Sequence, residues 1–326
     1  MALTRDDIVF AGREPRIPAS YPVTRFAAPC LADSERSTRV LADVLGIEVA
    51  TTVALPTGVA AVGKAGQIEH FAASGGVRAR NVERLTAFED EKRDWADLKE
   101  ERTREGVRFS LGEETAARLT RLADAVLDKA GLASDGASSR IVLEQWAQFD
   151  ERGKEVAAGV GRATVAVTYE VAGVPMLGAG AKSNLHFDPE GAGGALARFF
   201  HVNRRSDEVG EVRTAPFELA LDGLLEESWT SRELSPGDAK IEIQSATTGL
   251  LALPAHVPQS HALPVLSVEG VVHGDFGGLD QLHFARYLPL FDAKDAARRG
   301  FAPGVDPAIG LYEPDKARTQ PRRQVA

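Results

Sequence analysis

With 326 residues, 44% hydrophobic and 26% charged, the chain has the apolar content to bury a core, spread on length alone over about two domains. A formal net charge of −9 argues against nonspecific nucleic-acid binding, which draws its affinity from Lys and Arg neutralising phosphates. The single cysteine, Cys30, excludes an internal disulfide and a cysteine-based zinc site; it reads as a small buried residue ahead of the first helix.

In chain order, the opening MALTRDDIVFAGREP has acidic residues where a signal peptide needs an apolar core, and no segment approaches a membrane span. The expectation is a cytoplasmic protein with no membrane partner. Asp33 or Ser34 opens a helix with Val40, Leu41, Val44 and Leu45 inward, closed by Gly46. Residues 47–55 and 67–73 follow as strands, and Ser74 begins a turn. The segment 85–106, dense in both signs of charge, reads as a solvated helix or connector. Ser110-Leu-Gly-Glu113 has the capping-box pattern for a helix over 112–130, with Leu119, Leu122, Ala123, Val126 and Leu127 on one stripe and Gly131 as its stop.

After that helix the period falls to two. Residues 162–171 place Ala163, Val165, Val167, Tyr169 and Val171 on one face, predicting a strand with one buried side and 138–149, 181–187 and 195–202 as its neighbours. A third helix begins after Thr214 and Pro216, with Phe217, Ala220, Leu221, Leu224 and Leu225 inward, and residues 240–253 and 262–272 form the last strand pair. Trp146, Trp229, Phe199, Phe200 and Tyr169 are expected between helix and sheet. The KARTQPRRQVA terminus reads as a solvated basic tail. Helix then antiparallel meander, repeated about three times, predicts an α+β fold. Its expected units are residues 1–109, 110–205 and 206–326.

Two glycine runs suggest phosphate loops. Gly173 and Gly178 have the Walker gap, but Ala179-Gly180-Ala181 intervenes before Lys182-Ser183; Gly58 to Gly63-Lys64 has the gap but ends in Ala65. Strands, rather than a helix, are expected after both, so both read as hairpin turns and no nucleotide or other cofactor is expected.

The run Tyr169-Glu-Val-Ala-Gly173-Val-Pro175, the turn through Gly178, Gly180 and Lys182, and the strand ending His186-Phe187 before Asp188-Pro-Glu-Gly191 resemble the central hairpins of PepSY-like domains. Leu250-Leu-Ala-Leu-Pro254 and Leu263-Pro264-Val265-Leu266 onward to Gly270 look like the closing strands of YycI-type regulatory proteins. The resemblance covers about residues 110–290, and more faintly 30–82. It implies tandem cystatin-like units that bind peptides, inhibit proteases or regulate kinases, usually outside the cytoplasmic membrane.

Seven histidines are the chief chemical resource, and none has a helical metal-ligand spacing. The candidates are His256 and His261 on the proline-bounded LPAHVPQSHALP, His186 with Asp188 alternating on one strand, and His273 with Asp275 at a strand end. Imidazole titrates near neutrality and serves as acid, base or ligand. No Gly-x-Ser-x-Gly elbow is present. Two functions fit: a binding or regulatory module taking a peptide or apolar small molecule against a curled sheet, or a nucleotide-independent cyclase- or isomerase-type enzyme on an apolar metabolite of bacterial secondary metabolism.

Overall fold

The computed structural model describes residues 4–29, 34–85, 95, 97–103, 106–153, 155–189, 194–225, 239–274 and 280–301. Cys30, Trp229, Asp275, most of the charged segment at 86–96 and the basic tail lie outside the described residues. The strands, in order, are β1 (Ile8–Phe10), β2 (Ser20–Phe26), β3 (Val49–Leu55), β4 (Gly58–Gly63), β5 (Gly66–Phe71), β6 (Val77–Asn81), β7 (Lys99–Thr103), β8 (Gly106–Ser110), β9 (Ser138–Phe149) and β10 (Glu155–Thr168). They continue with β11 (Glu170–Val171), β12 (Val174–Leu177), β13 (Ala181–Asp188), β14 (Ala195–Asn203), β15 (Ser206–Arg213), β16 (Lys240–Leu251), β17 (His261–Ala262), β18 (Pro264–His273) and β19 (Gln281–Pro289).

The fold is mostly β, which overturns the expected α+β arrangement of tandem cystatin- or PepSY-like units. The chain divides into two compact units. A central one holds Ala27–Arg205 and Leu253–Pro258; a terminal one holds Met1–Phe26, Ser206–Ala252 and Gln259–Ala326. One division falls between Arg205 and Ser206. Residues 27–109 and 110–205, however, contribute strands to one sheet, because β6 pairs antiparallel with β14. That pairing joins segments more than a hundred residues apart, and local periodicity carries no trace of it.

The central sheet has eight strands in the order β3-β4-β5-β6-β14-β13-β10-β9. Its centre is the expected one: Ala163 to Thr168 of β10 face Phe187 to Lys182 of β13 in antiparallel register, with β9 and β14 flanking them. The helices Ser34–Leu45 and Glu113–Lys129 contribute Leu41, Leu45, Leu119, Ala123, Val126 and Leu127 to one core with Val165, Val167, Tyr169, Leu185 and Phe199. Alternation along the strands puts these partners on a single sheet face.

Two details of the second helix depart from expectation. Ser110 ends β8, and Gly112, which has no side chain to offer, is the N-cap; its backbone N–H instead donates to the Asp97 carbonyl at 3.1 Å. Leu122 is 39% exposed while Leu127 is 5% exposed, so the apolar stripe is narrower than the sequence pattern. Within the charged segment, expected as a solvated helix or connector, Lys99–Thr103 is a strand paired with β8.

Both glycine runs are hairpins. Gly58–Gly63 is β4 itself, and the second run leads from β12 into β13. Gly178 adopts φ 92°, and a Cβ on Gly180 would lie 1.8 Å from the Leu253 carbonyl oxygen, so a close backbone approach requires glycine there.

In the terminal unit, β16, β18 and β19 are antiparallel and β1 joins β16 in parallel; β2 pairs with β15 and β17. Buried Asp295 ties the helix Ala293–Arg298 to β15 by accepting from the Arg213 N–H at 2.9 Å, and its carboxyl lies below the usual range chiefly for that reason.

The packing predicts a contrast. Leu127→Ala should cost roughly 2–5 kcal/mol in urea denaturation, the range for a buried leucine. Leu122→Ala should cost well under that, within about 1 kcal/mol. Equal losses would contradict the helix orientation.

Candidate functional site

The central sheet presents two chemically different faces. On the helix-covered face, cross-strand neighbours Val77, His201, Ser183 and Val167 form one row. The Ser183 hydroxyl lies 2.6 Å from His201 Nδ1 and 2.6 Å from the Tyr169 hydroxyl, and Phe199 stacks on the imidazole with centroids 6.4 Å apart. All three polar residues are buried. Burial depresses His201 to about 4 and raises the Tyr169 phenol, so both are neutral at pH 7. His70, on the same face, meets the Thr38 hydroxyl at 2.8 Å, and burial lowers it too.

The opposite face, helix-free among the described residues, carries the row Gln67, Arg80, Arg198, His186, Thr164 and Val142, each the cross-strand partner of the next. Beside it runs Glu69, Arg78, Phe200, Asn184 and Ala166. His186 Nδ1 sits 2.8 Å from the Thr164 hydroxyl. Burial, then the Arg198 and Arg162 guanidiniums, push the imidazole down to about 4. Arg162 Nε donates to Asp188 at 2.7 Å; burial raises that carboxyl against the pull of the guanidinium. His186 and Asp188 therefore share the neighbourhood of Arg162, as their alternation suggests.

The other candidates have separate settings. His256 and His261 belong to different units. His256 is exposed on the segment 253–258, which Arg204 anchors by donating to the Leu253, Pro254 and Val257 carbonyls at 2.7, 3.0 and 2.7 Å. Burial lowers the Arg204 guanidinium to about 10. His261 Nδ1 meets the Ser260 hydroxyl at 2.9 Å, and its ring lies edge-on to Phe301. His273 pairs weakly with Glu242 at 3.4 Å, and Asp275 lies outside the described residues. Among the described residues no three His, Cys, Asp or Glu side chains are grouped to hold a metal ion, and no helix is long and apolar enough to cross a membrane.

Ser183, Arg80 and Arg198 are the residues that the sequence reading passed over; Tyr169 was expected in the core, and His201 was one of the seven histidines but not a candidate. A signal existed for the buried group: Ser183 and His201 fall on the inward parity of otherwise apolar strands. Arg80 and Arg198 meet only through the long-range β6–β14 register.

No protein-family model matches this chain, and no curated protein matches it. Among solved structures, an uncharacterized protein from Eubacterium rectale is similar at 12% identity over 83% of this chain and 82% of that one, with a TM-score of 0.35. Likeness that loose bears on neither fold nor function, and the PepSY and YycI resemblance gains no relative in its support.

Two predictions follow from this geometry. Gly180→Ala should destabilise the protein by roughly 1–3 kcal/mol through the clash with Leu253; unchanged urea stability would contradict the close approach. The second concerns pH. Since His186 and His201 are held near 4, below the 6.5 of a free imidazole, the unfolded chain takes up protons first as pH falls. Stability is then complete above about 6.5 and declines toward 4, by up to about 1.4 kcal/mol per pH unit for each histidine. Asp188, raised by burial, acts with the opposite sign at the acidic end. Urea midpoints between pH 7 and 5 should fall, and less steeply in His186→Gln; a flat profile would contradict the buried neutral imidazoles.

Proposed function

We propose that this protein is a binding module that takes a peptide against the helix-free face of its central sheet. One observation carries the reading. Both core helices pack on one face, while the other displays exposed Arg78, Arg80 and Arg198 around half-buried Phe200, His186, Asn184 and Lys182. Phe200, half-buried against Phe71, Val202 and Ala255, sets an aromatic side chain inside a polar, charged margin, a composition found in recognition surfaces. The hydrogen-bonding side chains of this face suit a peptide better than an apolar small molecule. The enzyme reading has the weaker support: the candidate acid–base imidazole on this face is neutral at pH 7 and a poor proton donor, and the Tyr169–Ser183–His201 group is buried.

Selection of a random peptide library on the full chain tests this reading. Enriched peptides should bind saturably and slow amide hydrogen exchange in β6, β13 and β14. They should lose affinity to Phe200→Ala, a variant to be checked for an unchanged thermal transition. Failure to enrich any sequence, or protection confined to the terminal unit, would overturn it.

A further inference from the structure

We infer that Arg80 and Arg198 form an anion subsite on this face, one that holds carboxylates of an acidic peptide segment. The inference rests on the peptide-binding reading above and adds the chemistry of what is recognised.

Arg80 and Arg198 are direct cross-strand partners in the antiparallel β6–β14 pair, so their side chains leave the same face about 5 Å apart at Cα. Both are exposed. Neither side chain makes a hydrogen bond or ion pair with another described residue, and in this the pair stands apart from its neighbours. Arg78 is bonded to Glu69 at 2.5 Å and lies over the Phe71 ring; Arg162 is bonded to Asp188; Arg84 donates to the Leu196 carbonyl at 2.7 Å. Glu69, in the neighbouring row, and Asp188, two residues beyond His186 on β13, are thus already engaged by other guanidiniums.

Like charges placed directly opposite on a sheet repel, and a pair left without counter-charge costs stability in the free protein. The whole chain carries an excess of nine negative charges, so acidic residues were available to neutralise the pair. Gln67 flanks Arg80 and His186 flanks Arg198 instead. Both flanking side chains are neutral at pH 7, and both can donate a hydrogen bond. When the Thr164 hydroxyl donates to His186 Nδ1, the ring's own proton resides on Nε2. The row then offers two cations between two neutral donors. Guanidinium forks match the geometry of carboxylate and phosphate oxygens, which is the chemistry this row recognises. Strand-like spacing in a bound peptide brings alternate acidic side chains to one side.

The test uses the full chain and fluorescein-labelled hexaglutamate and hexaglutamine peptides, read by anisotropy. Hexaglutamate should bind saturably and weaken with added salt; Arg80→Gln and Arg198→Gln should each lower its affinity by about tenfold or more. Thermal transitions without ligand should hold or rise in both variants, because a repulsion is relieved. A marked fall in both transitions would make the arginines structural and overturn the subsite. Equal binding of the two peptides, insensitive to either substitution, would overturn the subsite and leave the peptide reading standing. If neither peptide binds but inorganic phosphate shifts the His186 imidazole resonances in the parent and not in Arg198→Gln, a small free anion is the ligand and peptide binding is overturned. No response to any probe would overturn both.

Discussion

The central unit depends on the antiparallel pairing of β6 with β14. Arg80 to Val77 lie opposite Arg198 to His201, and this seam joins the hairpins of residues 49–81 to the strands of residues 138–203. On one side of it, Ala79 and Phe199 are fully buried against the core, with Val77 nearly so. Burial of that apolar surface contributes about 25 cal/mol per Å², enough over such residues to outweigh a surface repulsion of a few tenths to one kcal/mol. The seam can therefore carry two opposed arginines on its other side. The helix Ser34–Leu45 covers the junction from the core side, contacting β5, β6 and β14 together.

The same sheet explains why its histidines behave alike in charge and differently in setting. His201 is neutral because it is enclosed, with Ser183 and Tyr169 meeting its polar atom. His186 is neutral because burial and two guanidiniums make a further positive charge unfavourable. A neutral imidazole beside Arg198 adds a donor without adding repulsion. Burial chiefly, with Arg198 and Arg162 adding to it, keeps the histidine neutral, and the histidine extends the row that Arg80 and Arg198 occupy.

Much of the local structure was legible in the residues. The period-two run marked its strand and buried face as far as Thr168, and its pairing with 138–149 and 181–187, because alternation is a direct record of one-sided burial; residues 170–171 instead form a separate strand paired with β12. The glycine runs read correctly as hairpins because a phosphate loop needs a following helix and the sequence offered strands. Assembly was not legible. Helices and strands alternating along the chain suggested consecutive units, whereas pairing of β6 with β14 merges two of them. Leu122 looked interior because an apolar residue at helical spacing does not reveal where the stripe ends. His256 and His261 looked paired by proximity in sequence, yet Arg204 commits the first to the central unit while β17 holds the second against β2. Of the proposed face, His186 alone was a candidate in advance, drawn from its alternation with Asp188 on one strand. The arginines came from register.

Register also explains how two polar systems coexist on one pair of strands. Along β13, Ser183 and Leu185 face the helices while Asn184 and His186 face away; along β14, Phe199 and His201 alternate with Arg198 and Phe200. A slip of one residue would exchange these sets. Arg198 and Asn184 would enter the core without partners, while Phe199 and Leu185 would be placed in water. Each misplaced polar group would cost on the order of 1–3 kcal/mol in unmade hydrogen bonds, and each misplaced apolar side chain a similar amount. The hydrogen bonds that Ser183 shares with Tyr169 and His201 oppose the slip as well, because they form in one alignment only. The buried group thereby holds the opposite face in order: the alignment that encloses Ser183 and His201 is the one that sets Arg198 beside Arg80 and His186.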